Sequence, residues 1–266
     1  MDDIIIVRGA GDLATGIAHR LHRCGFPLVL TEIESPLVVR RFVAFANAVL
    51  EGSTEVEGVT AVKAERLEDI YTIWAAGNIP VLCDSQCSIL KAVKPLAVVD
   101  AILAKRNTGT HRDMAPITIG VGPGFTAGDD VDAVVETKRG HDLGKVIYSG
   151  PAEPDTGVPG NINGYSWERL LRSPSDGVIC NVLEIGDPVK KGDLIAMVSG
   201  EPVKALADGV VRGLIANGTA VRKCMKIGDV DPRGIKEYCF TISDKSRAVA
   251  GGVLEAILSL KKEKGI

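Results

Sequence analysis

The sequence predicts an α/β protein in which a Rossmann-like domain with a parallel sheet precedes a smaller all-β domain. Short apolar runs alternate with helical segments in the first half, and residues 174–227 contain a repeated, glycine-punctuated β pattern. The length of 266 residues is nearer two structural units than one at about 150 residues each. We expect the Rossmann-like domain over residues 1–165 and the all-β domain over 166–235. A C-terminal strand and helix over 236–266 should pack back on the first domain.

The composition argues against several classes of partner. The net charge of −3 argues against a surface that binds nucleic acid, although local basic patches for small anions stay open, and an aromatic content of 4% leaves few rings for base stacking. No apolar run reaches the roughly 20 residues of a membrane helix. The first residues lack the basic start of a signal peptide. We therefore expect a soluble cytoplasmic protein that keeps its 6 cysteines as thiols.

The first thirty residues predict a β-α-β unit. Residues 4–7 form a fully apolar run, which is typical of a strand buried on both faces. Leucine and isoleucine recur with helical spacing over residues 13–24, and Gly25 ends that helix. Residues 26–30 form the next strand, so we expect a right-handed parallel crossover.

The same alternation continues along the chain and predicts an open α/β sheet. Apolar runs predict strands at residues 59–62, 80–83, 96–99, 117–121 and 133–136, and a helical pattern covers 65–76. Residues 107–165 carry a turn-forming residue every few positions and should form loops. Residues 246–264 predict a last helix that Gly265 closes.

The repeat consists of two similar halves that are offset by 32 positions. Asp176-Gly177-Val178 recurs as Asp208-Gly209-Val210. Each half is too short to bury a core alone, so we expect a pseudo-twofold sandwich of the biotinyl/lipoyl type, a barrel-sandwich hybrid. A carrier domain of that type needs a lysine in the hairpin between the halves, and residues 198–202 contain none. A structural or docking role is therefore the default.

The most specific site motif follows the first strand. It consists of Gly9, Ala10, Gly11, Asp12, Leu13 and Ala14, which match G-x-G-x-x-A between a strand and a helix. Such a turn lets the backbone approach a pyrophosphate, and the helix N-terminus supplies oriented N–H groups. Glu32, at the end of the next strand, would accept hydrogen bonds from ribose hydroxyls. The alternative is a tight turn without a ligand.

Further candidate binding residues follow the ends of later strands. Because parallel strands end at one edge of a sheet, we expect these residues to share a cleft with the motif: Asp84, Lys105, Arg106, Gly122 and Gly124. A glycine loop with basic pairs, including Lys138-Arg139, is complementary to a phosphorylated ligand. Each basic pair taken alone is more often solvated surface.

Two cysteines and two histidines have suggestive spacings. Cys83 and Cys87 lie at a strand-to-helix junction, where a helix N-terminus can lower the pKa of a thiol; buried, inert thiols are the alternative. His19 and His22 are three apart on the first helix, a spacing more typical of surface residues. No cysteines and histidines have zinc-site spacing, so we predict no structural metal.

Five longer motifs together resemble the selenium-dependent molybdenum hydroxylase accessory family. They are RGAGDLATG at 8–16, AKRNTGT at 104–110, GPGFTAG at 122–128, ETKRGH at 136–141 and KIGDVDPR at 226–233. The resemblance, with a distant similarity to xanthine dehydrogenase accessory proteins, implies a nucleotide-binding-like α/β domain. It also implies an association with the maturation of selenium-containing molybdenum hydroxylases, through delivery of a molybdopterin cofactor to the apoenzyme. On that hypothesis, Cys83 or Cys87 would pass sulfur or selenium to the metal.

Three functions stay open at this point. The first is an accessory protein that binds a dinucleotide-type ligand such as molybdopterin dinucleotide, whose pyrophosphate and ribose suit residues 9–14 and Glu32. The second is an NAD(P)-dependent oxidoreductase, in which Glu32 favours NAD because a carboxylate repels a ribose phosphate. The third is a non-catalytic docking module. The sequence assigns neither a catalytic residue nor an oligomeric state.

Overall fold

The computed structural model describes residues 3–266, which divide into two compact units. The α/β unit contains the described residues up to Pro36, together with Ala44–Asp155 and Ile242–Ile266. The β unit contains Leu37–Val43 and Thr156–Thr241. No helix among residues 3–266 is both long and apolar enough to cross a membrane.

The α/β unit contains strands, α-helices and short 3-10 turns. Its strands are β1 (Ile5–Arg8), β2 (Leu28–Glu32), β3 (Ser53–Val56), β4 (Val59–Ala64), β5 (Ile79–Cys83), β6 (Ala97–Asp100), β7 (Ile117–Val121), β8 (Thr126–Ala127), β9 (Ala133–Val135), β10 (Val146–Ile147) and β11 (Gly150–Pro151). Its α-helices are α1 (Asp12–Arg23), α2 (Asn47–Glu51), α3 (Asp69–Ala75) and α4 (Asp244–Lys264). The 3-10 turns lie at Ser88–Lys91 and Arg112–Met114.

One mixed sheet contains nine of these strands, in the order β10-β9-β7-β6-β1-β2-β5-β4-β3. The strands from β9 to β4 pair in parallel, and the edge strands β10 and β3 pair antiparallel with their neighbours. β8 and β11 form a separate antiparallel pair. β1 and β2 are parallel and joined through α1, as the first thirty residues predict.

The central strands are apolar because both faces of the sheet are covered. Ile5, Ile6 and Val7 of β1 are fully buried, as are Val98 and Val99 of β6. A strand in this position needs a continuous apolar run rather than an alternating one. Each such side chain contributes about 1.5–3 kcal/mol of transfer free energy when it is buried.

α1 and α4 approach each other closely where Gly16 faces Ser246. A Cβ atom at Gly16 would lie 2.7 Å from the Cβ of Ser246. The Oγ of Ser243 accepts the Ser246 N–H at 3.1 Å and caps α4. α4 therefore begins at Asp244, two residues before the predicted start, and it ends at Gly265 as predicted.

α3 begins four residues later than the helical pattern predicts. The Asp69 carboxylate accepts the N–H groups of Glu65 and Arg66 at 3.1 and 2.9 Å. These hydrogen bonds fold the preceding residues into a turn, because an aspartate side chain competes with the helical backbone for N–H donors.

The predicted fold class, a Rossmann-like parallel sheet with a biotinyl/lipoyl-like domain, is wrong. The large sheet is mixed, with antiparallel strands at both edges. A doubly wound sheet also needs a helix after each strand. Between β5 and β9, the helical segments of the described chain are 3-10 turns and none is an α-helix. Glycine and proline recur in this stretch and end helices.

The β unit consists of two antiparallel sheets. Its strands are β12 (Leu170–Arg172), β13 (Gly177–Asn181), β14 (Pro188–Val189), β15 (Leu194–Val198), β16 (Glu201–Lys204), β17 (Gly209–Leu214), β18 (Ala220–Val221) and β19 (Lys226–Asp231), with 3-10 turns at Arg41–Val43, Trp167–Arg169 and Lys236–Cys239. One sheet has the order β12-β19-β17-β14, and the other has the order β16-β15-β13-β18.

The two halves of the sequence repeat exchange strands, so that each half contributes strands to both sheets. The offset of the repeat maps β13, β14 and β15 onto β17, β18 and β19, so each sheet contains strands from both halves. Ile179, Ile195, Val211 and Ile227 from the two halves share one buried core. Neither half can bury these side chains alone.

Gly209→Ala should destabilise the β unit more than Gly177→Ala, although the repeat makes the two positions equivalent. A Cβ at Gly209 would lie 2.2 Å from the backbone oxygen of Asp231. A Cβ at Gly177 would lie 1.9 Å from the Oγ of Ser199, a side chain that can rotate away. We expect the free energy of unfolding to fall by roughly 3 kcal/mol or more for Gly209→Ala and by about 1–2 kcal/mol for Gly177→Ala. Urea titrations measure both values, and equal losses would contradict the role of the backbone contact.

Candidate functional site

The turn between β1 and α1 is fixed by close backbone contacts. Gly9 has a φ of 95°, and a Cβ there would lie 2.9 Å from the carbonyl oxygen of Ala101. Glycine is required at this point because a side chain would meet both strain and the end of β6. Ala10 is buried, and its carbonyl oxygen accepts the Ala46 N–H and the Thr15 hydroxyl. The loop is therefore held in place before α1 begins.

The start of α1 has space beside it. Gly11 is the N-cap residue, no side chain caps the helix, and a Cβ at Gly11 would meet nothing within 4 Å. The Asp12 carboxylate accepts the Ser246 hydroxyl at 2.9 Å. Leu13 is half-buried, and Ala14 is fully buried against the core. A helix start of this kind presents N–H groups and a partial positive charge.

Glu32 and Asp84 lie beside this turn and hold neighbouring loops. The Glu32 carboxylate accepts the N–H groups of Ala10 and Ile33 at 2.9 and 2.8 Å. The Asp84 N–H donates to the Glu32 carbonyl oxygen at 3.0 Å, and the Asp84 carboxylate accepts the Ile89 N–H at 2.8 Å. Both carboxylates thus have structural hydrogen bonds, and contact with a ligand stays a prediction.

We call the start of α1, with Glu32 and Asp84, the first rim of this sheet edge. The other predicted residues lie in loops that form the second rim. A Cβ at Gly124 would lie 2.6 Å from the backbone nitrogen of Arg106, so the two loops touch. Gly122 packs in the same way against the side chain of Thr137. Lys105 pairs with Asp155 at 2.6 Å, and Arg106 is exposed.

Lys245, at the start of α4, electrostatically links the two rims. It is half-buried, and this desolvation lowers the pKa of its ammonium group. Arg139 lowers the pKa further, whereas Asp12, Glu136 and Asp155 act in the opposite direction without cancelling the effect. Asp12 belongs to the start of α1, whereas Glu136 and Asp155 belong to the second rim, so the charge of Lys245 interacts with both.

The carboxylates around Lys245 already have other partners. Glu136 is buried and accepts the N–H groups of Thr137 and Lys138, both at 2.6 Å, and that of Glu153 at 2.8 Å. As described above, Asp12 and Asp155 are engaged by Ser246 and Lys105. These groups hold the loops together, and the positive charge of Lys245 is compensated only in part.

A buried ion pair joins the carboxyl ends of β1 and β6. Arg8 ends β1 and pairs with Asp100 of β6 at 3.1 Å, and at most 4% of either side chain is exposed. The Thr110 hydroxyl donates to Asp100 at 2.5 Å and also contacts Arg8. The Ile102 N–H donates to the second Asp100 oxygen at 3.1 Å. This network ties β1 and β6 to the loop that carries Lys105.

The reactive-thiol interpretation of Cys83 and Cys87 is not supported by their surroundings. Burial raises the pKa of the Cys87 thiol to about 11, and Asp84 and Asp100 add to the effect while Arg8 opposes it. Burial also raises the pKa of Cys83. A thiol in such a position is a poor nucleophile at neutral pH.

The motif at residues 226–233 belongs to the core of the β unit. Asp229 and Asp231 on β19 are buried. Arg169 donates to both Asp229 oxygens at 3.0 and 3.2 Å, and Arg233 binds Asp231 at 2.9 and 2.6 Å. Burial alone would raise the pKa of Asp231, but Arg233 and Arg212 hold it below its usual value. The motif has a structural role in this unit.

Sequence reasoning missed Lys245 and Glu136. Glu136 lay at the end of a predicted strand and at the start of the motif at residues 136–141, but neither pattern assigned it a role. Lys245 follows a helix cap near the end of the chain, about 230 residues from Asp12, and no local pattern relates the two. The structure also shows no group of three or more metal-ligating side chains within residues 3–266.

Comparison with known sequences gives one close relative and no family. The chain is 51% identical over 257 residues to the uncharacterized protein YqeB of Escherichia coli (strain K12). The match covers 97% of this chain and 48% of that protein, so the chain spans about half the length of the curated relative it matches. No family model matches the sequence.

The solved structures with some similarity are of other kinds than expected. The apo ectoine utilization protein EutE (DoeB) from Ruegeria pomeroyi is 11% identical, with 86% of each chain covered and a TM-score of 0.27. An aspartoacylase family protein from Mesorhizobium loti is 13% identical, with 86% of this chain and 84% of that chain covered and a TM-score of 0.27. A succinylglutamate desuccinylase from Silicibacter sp. TM1040 has the same identity and coverage and a TM-score of 0.26. At these TM-scores, the chain takes neither a fold nor an activity from these proteins.

These findings correct the functional expectations. No family model matches the sequence, and the expected membership in the molybdenum hydroxylase accessory family is wrong. The expected role in the maturation of selenium-dependent molybdenum hydroxylases is wrong with it, and the alternatives of NAD(P)-dependent oxidation and docking are not supported either. The prediction of molybdopterin or NAD(P) as the cofactor is wrong as well.

We expect alkylation to separate the cysteines by exposure. Cys24, Cys180 and Cys224 are exposed, whereas Cys87 and Cys239 are buried with raised pKa values. A rise from 9.0 to about 11 leaves Cys87 with roughly 100-fold less thiolate at neutral pH. Iodoacetamide treatment of the native protein followed by peptide mass spectrometry should label the exposed three first. Early labelling of Cys87 would show that this thiol is accessible and activated.

Arg8→Met should cost about 3–5 kcal/mol of unfolding free energy, because it leaves Asp100 buried without its cation. Arg8→Met combined with Asp100→Asn should recover at least half of that loss. The asparagine removes the buried charge and can still bond the Ile102 N–H and the Thr110 hydroxyl. Denaturant unfolding of the single and double variants tests this, and additive losses would contradict a coupled pair.

Proposed function

We propose that the chain is a small-molecule-binding protein. Its α/β unit would hold a ligand with a carboxylate or phosphate group at the carboxyl edge of the nine-stranded sheet. Lys245 is the observation that carries this proposal. Its ammonium group is half-buried near the uncapped start of α1, and burial outweighs the attraction of three carboxylates that have other partners. A bound anion would supply the compensating charge.

The residues predicted at this edge have distinct roles in the proposal. The N–H groups of Gly11, Asp12 and Leu13 would donate to the anion at the start of α1. The remaining residues give the edge its shape (Gly9, Ala10, Ala14, Glu32, Asp84, Gly122 and Gly124) or its positive charge (Lys105 and Arg106). Loss of the ammonium group should therefore weaken binding more than loss of an unrelated lysine.

The composition indicates the cellular compartment and the class of ligand. We infer a cytoplasmic protein because its cysteines are suited to remain thiols. The net charge of −3 favours a small ligand over a nucleic acid. A small molecule that copurifies with the native protein, identified by mass spectrometry, would define the ligand.

Lys245→Gln should weaken binding of inorganic phosphate or succinate at least tenfold at neutral pH. The substitution removes a positive charge that interacts with residues of both rims. Isothermal titration at low ionic strength measures the affinity. Lys94→Gln is the matched control, since Lys94 is exposed and lies away from both rims in sequence. Equal affinities for wild type and Lys245→Gln would overturn the proposal.

The pH dependence of binding gives a local check on the same site. Because the pKa of Lys245 is lowered, its ammonium group loses its proton at a lower pH than an ordinary lysine. Anion affinity should therefore decline as the pH rises through that range in wild type, and Lys245→Gln should not show the decline.

Bound anion should also slow acetylation of Lys245 but not of Lys94, as read by peptide mass spectrometry. Protection of both lysines alike would indicate a general salt effect and contradict the site.

A further inference from the structure

A separate basic cavity lies between the later turns of α1 and the start of α4. Its volume is about 260 Å³, and its lining includes Gly16, His19, Arg20, Arg23, Cys24 and Arg247. Sites for drug-sized molecules commonly have volumes of roughly 300–1,000 Å³, so this slightly smaller cavity suits a ligand of only a few atoms. The cavity has no part in the function proposed above.

The charges around the cavity are unbalanced. Arg247 pairs with Glu57 at 2.7 and 2.8 Å, and His19 lies 3.4 Å from the Glu57 carbonyl oxygen. Burial would raise the pKa of Glu57, but the Ile242 N–H and Arg247 hold it below its usual value. Neither Arg20 nor Arg23 has an ion pair with any of residues 3–266. Glu57 thus compensates Arg247 next to His19, while Arg20 and Arg23 line the same cavity without a paired carboxylate among residues 3–266.

The end of α1 does not need these side chains to satisfy its backbone. The carbonyl oxygens of Arg20, Leu21 and His22 accept N–H groups from the residues that follow, at 2.9–3.2 Å. Basic side chains at a helix C-terminus do interact favourably with the helix dipole. That interaction does not require the two guanidinium groups to line a cavity. The neighbouring His22 also senses this charge, because burial, His19 and Arg23 all lower its pKa.

We propose that this cavity binds a phosphate dianion, either free or as a phosphomonoester, through Arg20 and Arg23. The two arginines are three residues apart, so their side chains lie on the same side of α1. Planar guanidinium groups bind phosphate with paired hydrogen bonds. Gly16 brings no side chain into the cavity and leaves room for the ligand.

Cys24 provides a reporter inside the cavity lining. It is an exposed free thiol, as are Cys180 and Cys224 of the β unit. The anionic reagent DTNB should react with Cys24 several-fold faster than with the other two, after normalisation to the neutral reagent iodoacetamide. Inorganic phosphate or glycerol 3-phosphate should slow the DTNB reaction of Cys24 alone, at an ionic strength held constant with chloride.

Variants separate a specific site from a general charge effect. Arg20→Gln/Arg23→Gln should raise the phosphate concentration needed for half-protection of Cys24 at least tenfold. Arg20→Lys/Arg23→Lys should retain part of the protection. Lys91→Gln/Lys94→Gln removes the same charge at the same spacing from exposed positions and should leave protection unchanged.

Three results would overturn the proposal. They are protection by chloride equal to that by phosphate, unchanged protection in Arg20→Gln/Arg23→Gln, and an equal loss in the Lys91→Gln/Lys94→Gln control. Circular dichroism checks that each variant folds. If the double arginine variant does not fold, Arg23→Gln alone, at an exposed position, decides between the same outcomes.

Discussion

The close contact of α1 with α4 at Gly16 is the constraint on which both candidate sites depend. Because Gly16 has no Cβ, Ser246 can pack directly on α1 and its hydroxyl can reach Asp12. That contact places Lys245 near the start of α1. It also places Arg247 across from His19 and Arg20, which creates the basic cavity. A side chain at Gly16 would separate the helices and alter both places at once.

Several carboxylates in the α/β unit stabilise loops by accepting hydrogen bonds from backbone N–H groups. Glu32 and Glu136 accept backbone N–H groups from segments 22 and 17 residues away, and Asp84 accepts the N–H of Ile89 within its own loop. Hydrogen bonds of a carboxylate to N–H groups are stronger than neutral ones, and they satisfy donors that a loop would otherwise leave buried and unpaired. Acidic residues thereby stabilise an edge whose remaining function-bearing group, Lys245, is positive. Because these carboxylates are already engaged by N–H groups, a chain with a net negative charge can still contain a locally positive binding site.

The β unit solves a different problem, because its repeating halves are each too small to fold. Exchange of strands between two sheets gives both halves one core, built from Ile179, Ile195, Val211 and Ile227. The buried pairs of Arg169 with Asp229 and Arg233 with Asp231 break the equivalence of the halves. These pairs lie on β19, whose counterpart β15 carries aliphatic side chains. Charge therefore distinguishes two strands that the repeat makes equivalent.

The sequence by itself determined the features that depend on neighbours along the chain. The apolar runs of β1 and β6, the helical spacing of α1, the glycines of the first turn and the repeat of the β unit all follow from local periodicity and backbone geometry. Strand order, the mixed sheet and the missing helices between β5 and β9 were decided by tertiary structure. So was the position of Lys245, because burial and opposing charge come from residues such as Asp12 and Glu136 that are far away in sequence. Local patterns report which segments form, whereas the pKa of a side chain depends on which distant segments surround it.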